Sequence, residues 1–480
     1  METQFLIILV LAIIFGLYMA WGIGANDVAN AMGTSVGSGA LTIRRAVILA
    51  AILEFSGAFL AGSHVSETVR KGIVDPALFA GDGLSFMLGM LAALLAAGVW
   101  LQFASLKGWP VSTTHSIVGA VIGFGVAYGG ISAVHWDMVG QIALSWIVSP
   151  LLSGIISYLI FRLLLRHIFF KHHPLRAAKK LAPYIVFTVF AILSLALVFK
   201  GLKNLNLDLN LPEALVVAMG VGLLASLISL WLVSLMPDQE GEDKQDDQEA
   251  VTDPSVVKAL EKAIKHLERV HSTAPKRMKR ELSDTLDEVK RLRFESQRKY
   301  EFHTNTVEYQ RVEKLFVYLQ ILSASLVAFA HGANDVANAI GPMSAVISVA
   351  MAGGASIAAE SPVPLWVLGL GGIGIVIGLA TWGWRVMETI GHKITQLTPT
   401  RGFCAEFGAA TTIVIATKLG LPISTTHTLV GAVLGVGLAR GIGAVNFSIV
   451  REIIISWVIT IPAGAALAIA FFYGLRLFFM

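Results

Sequence analysis

The heptapeptide GANDVAN occupies residues 24–30 and returns letter for letter at residues 332–338. The first copy follows the apolar run 5–20, and the second lies in an equally apolar neighbourhood. Each copy sets one carboxylate and two amides where the composition is that of a membrane interior. An aspartate at the centre of a membrane helix costs about 2.5–3.5 kcal/mol on insertion scales, so each copy needs a partner, a proton or a function.

The repetition extends beyond this motif. Pro110-Val-Ser-Thr-Thr-His115 matches Pro422-Ile-Ser-Thr-Thr-His427, and the apolar IVGAVIG and LVGAVLG follow. Between the two motifs, Gly57, Gly62, Val65, Glu67 and Thr68 correspond at constant offset to Gly378, Gly383, Val386, Glu388 and Thr389. Three blocks in the same order define an internal duplication. The reading divides the chain into a first membrane repeat over 1–160, a basic loop with two connecting spans over 161–236, a polar insert over 237–313, and a second membrane repeat over 314–480.

Composition fixes the class. The 480 residues are 55% hydrophobic and 14% charged, and the mean hydropathy is +0.72. Apolar runs of bilayer-spanning length recur, giving an integral membrane protein of about ten to twelve helical segments. The N-terminus METQ lacks a basic region, so the first apolar run reads as a membrane helix rather than a removable signal. The single cysteine, Cys404, excludes an intrachain disulfide.

The insert begins with the acidic run DQEGEDKQDDQE. Two helical patterns follow, Val257/Leu260/Ile264/Leu267 and Met278/Leu282/Leu286/Val289, separated at Ser272–Pro275. This predicts an amphipathic helical hairpin outside the membrane, either a solvated linker or a regulatory module. Arg162, Arg166, Lys171, Arg176, Lys179 and Lys180 crowd the loop before Tyr184. By the positive-inside rule this loop is cytoplasmic, and two further spans return the insert to the same side.

Two related halves with polar motifs at matching positions point to a secondary transporter, whose site lies near the midplane between repeats that are often inverted. In GANDVAN, Asn26, Asp27 and Asn30, with Asn334, Asp335 and Asn338, supply the oxygens that hard cations prefer. Gly24 and Gly332 are expected to loosen the helix and free carbonyls. The same residues fit helix caps or interhelical glue, but two identical copies favour a cation or proton site.

In the second motif, proline suits a helix start and Ser/Thr suit its cap. The following apolar runs are short for a span and predict re-entrant half-helices whose N-termini face a cavity. Free N–H groups and the helix dipole make such an end an anion site. Ser112, Thr113, Thr114, Ser424, Thr425 and Thr426 add hydroxyl donors, so two facing copies surround a tetrahedral oxyanion. A Ser–His nucleophile pair is the weaker reading, since adjacent residues rarely have the geometry; no catalytic residue is assigned. His115 and His427 orient the loop, titrate, or are satisfied structural groups. Glu54 and Glu406 stand in apolar surroundings without being counterparts, and are candidates for a coupling ion or proton. Glu67 and Glu388 read as structural ion pairs.

The doubled GANDVAN together with the doubled P-[VI]-STTH resembles the inorganic phosphate transporter (PiT) family. The resemblance covers both halves and leaves out about 170–313. It implies an all-α polytopic membrane protein with two inverted repeats, re-entrant helical hairpins, about twelve membrane segments and a cytoplasmic insert. It also implies co-transport of inorganic phosphate with Na⁺, or alternatively H⁺, in a homodimer. The family's acid motif falls on Asn26, Asp27, Asn334 and Asp335, its anion motif on Ser112–Thr114 and Ser424–Thr426, and its glutamates resemble Glu54 and Glu406.

The expected protein is thus a phosphate symporter of the plasma (inner) membrane working by alternating access. It is not an enzyme, needs no cofactor beyond the coupling ion at Asp27 and Asp335, and binds no nucleic acid. An oxyanion permease such as one for sulfate, or a phosphate-sensing receptor, is the alternative. No Gly-x-x-x-x-Gly-Lys-[Ser/Thr] loop is present to use ATP.

Overall fold

A computed structural model describes residues 3–63, 65–66, 73–74, 76–79, 81–171, 173–198, 209–236, 254–304, 307–353, 363–387, 396–441 and 444–480. Helices dominate the described residues. In chain order they are α1 (Thr3–Gly37), α2 (Ile43–Ala61), α3 (Gly83–Leu106), α4 (Thr113–Gly129), α5 (Trp136–Leu164), α6 (Pro174–Val198), α7 (Leu211–Ser234), α8 (Pro254–Thr273), α9 (Lys276–Thr304), α10 (Val307–Met351), α11 (Leu365–Thr381), α12 (Pro399–Lys418), α13 (Thr425–Arg440) and α14 (Phe447–Phe479). Seven helices among the described residues are long and apolar enough to cross a membrane. Large exposed side chains such as Leu151, Ile155, Val216, Trp231 and Val458 lie on α5, α7 and α14. In water such a surface would be a liability; against lipid it is the expected outer face.

Helices α1–α5 recur in order and kind as α10–α14, and the packing exchanges partners between the sets. Helix α1 packs on α11 while α10 packs on α2, and α4 packs on α14 while α13 packs on α5. Helices α1 and α10 also lie against each other. Each repeat also keeps packing of its own, α1 on α3 and α10 on α12, and the exchanged crossings join the two.

Glycines at the exchanged crossings show why these positions match. A Cβ on Gly24 would run into the carbonyl oxygen of Ile375, and one on Gly378 into that of Trp21. The other crossing repeats the pattern, with Gly332 against the carbonyl of Glu54 and Gly57 against that of Phe329. Gly62 and Gly383 likewise abut Val336 and Val28. This corrects the expectation that Gly24 and Gly332 loosen their helices. Both GANDVAN copies lie inside unbroken helices, of 35 and 45 residues. Glycine there admits a neighbouring backbone, the usual basis of close helix contact in membranes.

Helices α4 and α13 contain 17 and 16 residues. At 1.5 Å per residue each is about 25 Å long, short of the roughly 30 Å hydrocarbon core. Each begins at the predicted hydroxyl cluster. Outside the bundle, α8 and α9 pack as a hairpin with Ile264 and Leu286 buried, and Lys290 pairs with Glu268 across it at 3.1 Å. Met278 departs from the expected apolar seam and is exposed; it stands in the first turn after the bend. The side chain of Val257, the acidic run, and Glu67 and Glu388 lie outside the described residues.

Candidate functional site

Helices α1 and α10 bring both GANDVAN copies to the centre, where α4 and α13 begin. Asn26, Asp27, Asn30, Asn334, Asp335 and Asn338 are all essentially inaccessible, as are Ser112–Thr114 and Ser424–Thr426.

The first asparagine of each motif is an anchor. Asn26 donates to Ser105 Oγ at 3.1 Å and to the carbonyl of Trp109 at 3.0 Å. Asn334 does the same with Thr417 Oγ1 at 3.0 Å and the carbonyl of Leu421 at 3.4 Å. These bonds hold each motif to the turn that leads into its own half-helix.

The second asparagine crosses to the other repeat. Asn30 donates to Thr426 Oγ1 at 2.8 Å and to Thr425 Oγ1 at 3.4 Å. Asn338 donates to Thr114 Oγ1 at 3.2 Å and Thr113 Oγ1 at 3.4 Å. The carboxylates reach the same hydroxyls: Thr425 donates to Asp335 Oδ2 at 2.8 Å, and Thr426 donates to Asp27 Oδ1 at 3.4 Å. Thr114 donates to the carbonyl of Ile423 at 2.8 Å, so the two starts also touch directly. The acid and hydroxyl groups, more than eighty residues apart in sequence within each repeat, form one buried cluster.

Ser112 and Ser424 are N-caps, each accepting the backbone N–H three residues on, from His115 and His427 at 3.2 Å. They fix the helix starts, and the threonines face the carboxylates.

The unpartnered atoms state what the pocket lacks. Asn26 Oδ1, Asp27 Oδ2, Asn30 Oδ1, Asn334 Oδ1 and Asp335 Oδ1 are buried without a hydrogen-bond partner. All five are oxygens; beside them, both ring nitrogens of His331 also lack a hydrogen-bond partner. Buried acceptors left without donors are costly, and a hard monovalent or divalent cation is the ligand that oxygens of this kind satisfy. The donor set fits a cation, while the threonine hydroxyls and the N-termini of α4 and α13 fit an anion beside it.

Residues 23–468 match the phosphate transporter family. The chain belongs to that family. Along 459 residues the transporter is 45% identical to the chloroplastic inorganic phosphate transporter 2-1 of Arabidopsis thaliana, covering 96% of this chain and 70% of that protein. Its fold aligns with a solved sodium-dependent phosphate transporter at a TM-score of 0.78 and 38% identity, over 98% of this chain and 99% of the other.

The transporter's two halves are unequal around this core. His331 precedes the second GAND, and Ile23 precedes the first. The histidine is fully buried, with Nε2 3.1 Å from Asp335 Oδ2 and Nδ1 3.4 Å from Glu54 Oε1. Both are ion-pair approaches without hydrogen-bond alignment, since neither ring nitrogen of His331 and neither oxygen of Glu54 has a hydrogen-bond partner. At the matching crossing, Ile375 stands where Glu54 stands. Asp27, His331 and Asp335 present ligand atoms within 4.8 Å of one another. Sequence reasoning passed over His331; the one signal was this single-letter difference ahead of two otherwise identical motifs.

Glu406 has its own environment. Oε1 accepts from Thr34 and Ser35 at 2.6 Å and from Gln320 at 3.1 Å, while Oε2 accepts from Ser323 at 2.6 Å. Glu54 and Glu406 therefore join different sets of partners and do not form a pair. The offset between the Ser-Thr-Thr motifs puts Leu94 at the equivalent place in the first repeat. Hydrogen bonds to a charged group contribute about 1.5–3 kcal/mol each. Glu406→Gln removes the charge that strengthens these bonds and the acceptor that Ser323 now uses, so a lower melting temperature and slower phosphate uptake are expected. An unchanged melt with unchanged uptake would contradict that account.

Proposed function

We propose that this chain is a symporter that carries inorganic phosphate together with Na⁺ by alternating access. The observation that carries the reading is the meeting of Asp27 and Asp335 with Thr426 and Thr425 at the start of α13, and of Asn338 with Thr113 and Thr114 at the start of α4, among buried oxygens that lack donors. Two buried carboxylates repel an oxyanion and are themselves costly without compensation. Cations held by Asp27, Asp335 and the asparagine oxygens offset that charge. Thr113, Thr114, Thr425 and Thr426, with the N-terminal N–H groups of α4 and α13, then donate to the phosphate oxygens. Cation and anion each lower the cost of binding the other, so their affinities are positively coupled and the coupling is reciprocal. The likeness to a sodium-dependent phosphate transporter favours Na⁺ over H⁺.

The exchange of packing partners supports reading the repeats as inverted, with access alternating as one set of helices moves against the other. The protein works in the plasma (inner) membrane as a homodimer, with 237–313 on the cytoplasmic side.

Two measurements test this. In proteoliposomes, an inward Na⁺ gradient is expected to drive labelled phosphate uptake, and a proton gradient without Na⁺ is not; uptake driven equally by protons alone would reassign the ion, and displacement of phosphate by equimolar sulfate would reassign the substrate. For the anion site, Thr425→Val removes a hydroxyl that donates to Asp335 and accepts from Asn30. Its phosphate affinity in calorimetry is expected to fall about tenfold, the size of one charge-assisted hydrogen bond. Unchanged affinity would remove the threonine from the site.

A further inference from the structure

Immediately behind the two threonine clusters, four aromatic side chains from four helices form a continuous row, Trp146–His115–His427–Trp457. His115 is the third residue of α4 and His427 the third residue of α13. Their imidazoles meet edge to face, with centroids 4.4 Å apart. Each histidine then reaches both tryptophans of the neighbouring long helices. His115 Nδ1 lies 3.3 Å from the carbonyl oxygen of Trp457 on α14, and its ring packs 3.8 Å from the indole of Trp146 on α5. His427 reverses the roles: Nδ1 lies 3.2 Å from the carbonyl oxygen of Trp146, and the ring stacks 3.5 Å from the indole of Trp457. Both histidines are buried, at 3% and 5% exposure.

The chemistry of the partners sets the tautomer. A carbonyl oxygen only accepts, so Nδ1 carries the proton in both rings. One of these carbonyls has a particular need. In a regular helix the carbonyl of Trp146 would accept from the N–H of residue 150, and residue 150 is a proline inside α5. A carbonyl freed by proline inside a membrane requires a donor from elsewhere. His427 Nδ1–H is that donor. The matching proline in α14 is Pro462, which falls one residue out of step with Trp457. Trp457 therefore keeps a possible donor in its own helix, the N–H of Ile461.

We propose that His427, with His115 in the lesser part, is a positioning residue for the phosphate site. Its Nδ1–H bond to the proline-freed carbonyl of Trp146 locks the start of α13 to α5 and, through its contact with His115, to the start of α4. The proposal rests on the reading that phosphate binds at these two starts. His427 sits one residue beyond Thr426, so a shift of its ring moves the hydroxyls that donate to the anion. Preorganised spacing of donors raises affinity because less ordering remains to be done on binding. The asymmetry of the two prolines makes His427 the more important of the pair.

The test is phosphate binding to the purified full chain in saturating Na⁺, read by calorimetry, together with its melting temperature. Asparagine places its amide N–H where Nδ1–H stands; glutamine places it where Nε2 stands; phenylalanine keeps the stacking and has no donor. His427→Asn is expected to keep most of the affinity. His427→Gln and His427→Phe are expected to weaken phosphate about tenfold, the size expected for one lost bond to a buried carbonyl. Pro150→Ala restores a backbone N–H for Trp146, so His427→Phe combined with Pro150→Ala is expected to recover affinity relative to His427→Phe alone. The double variant also serves if His427→Phe does not fold.

Equal affinity in all three single variants would overturn the proposal. So would an equal loss in all three, asparagine included, or failure of the asparagine variant to fold. Thr425→Val in the same assay separates this from the underlying site. If Thr425→Val loses phosphate and the His427 series does not, only the clasp is wrong. If Thr425→Val binds normally, the site itself is wrong.

Discussion

Asp27→Asn and Asp335→Asn each abolish sodium-driven phosphate uptake in proteoliposomes while the protein still folds and elutes as the parent does. The substitution preserves shape, and each amide can still accept a hydrogen bond from the threonine that now meets the carboxylate. What it removes is the negative charge that holds the cation. Loss of one partner from a buried charge pair costs about 3–5 kcal/mol, so affinity for the coupling ion falls at least a hundredfold. Because ion and phosphate binding are linked, phosphate affinity in Na⁺ falls with it. The two variants are not expected to be identical. Asp335 also faces His331 and, through it, Glu54, whereas the first repeat has Ile23 and Ile375 at those places. Asp335→Asn removes the direct carboxylate contact of His331 and leaves the imidazole facing Glu54, whereas Asp27→Asn, also close to His331, leaves both of those contacts in place. Full uptake by either variant would detach the carboxylates from the coupling ion.

The second large effect falls on glycines that touch no ligand. Gly24→Ala and Gly332→Ala each drive a methyl group into the carbonyl oxygen of the crossing helix, Ile375 in one case and Glu54 in the other. The obstacle is backbone, so no rotamer change relieves it and the helices must separate. Overpacking costs about 1–3 kcal/mol, occasionally more, and the separation also displaces an aspartate three residues away. Loss of uptake with a lower melting temperature is expected for both. Gly220→Ala is the control. Nothing lies within 4 Å of the added methyl on α7, and helix propensity favours alanine there by about 0.8–1.0 kcal/mol. Gly24→Ala or Gly332→Ala behaving like Gly220→Ala would refute the crossing account.

Much of this was legible in the sequence because duplication turns weak signals into strong ones. The acid motif, the hydroxyl motif and their order were each readable, and the meeting of Asp335 with Thr425 is what a transporter reading requires. The glycines were found but misread. A glycine that permits a close crossing looks the same, in one dimension, as a glycine that loosens a helix; only the position of Ile375 or Glu54 decides. His331 was missed for a related reason. Its importance comes from Glu54 on another helix, and from an isoleucine in the equivalent place, and neither is local. The partners of Glu406 are scattered over Thr34, Ser35, Gln320 and Ser323 on two helices. No spacing rule joins residues that only tertiary packing brings together. The role of Pro150 was equally hidden, since the donor it makes necessary comes from His427, in the other repeat.

The central claim is that cations and phosphate occupy one pocket and stabilise each other there. The most direct measurement is phosphate binding to the purified protein by calorimetry, in Na⁺ and in equimolar choline, with the reverse titration of Na⁺ at high and low phosphate. The account predicts that Na⁺ strengthens phosphate binding by about 5–150-fold, the usual range of coupling between sites, and that phosphate strengthens Na⁺ binding by the same factor. Phosphate affinity that is identical in choline and in Na⁺ would contradict it.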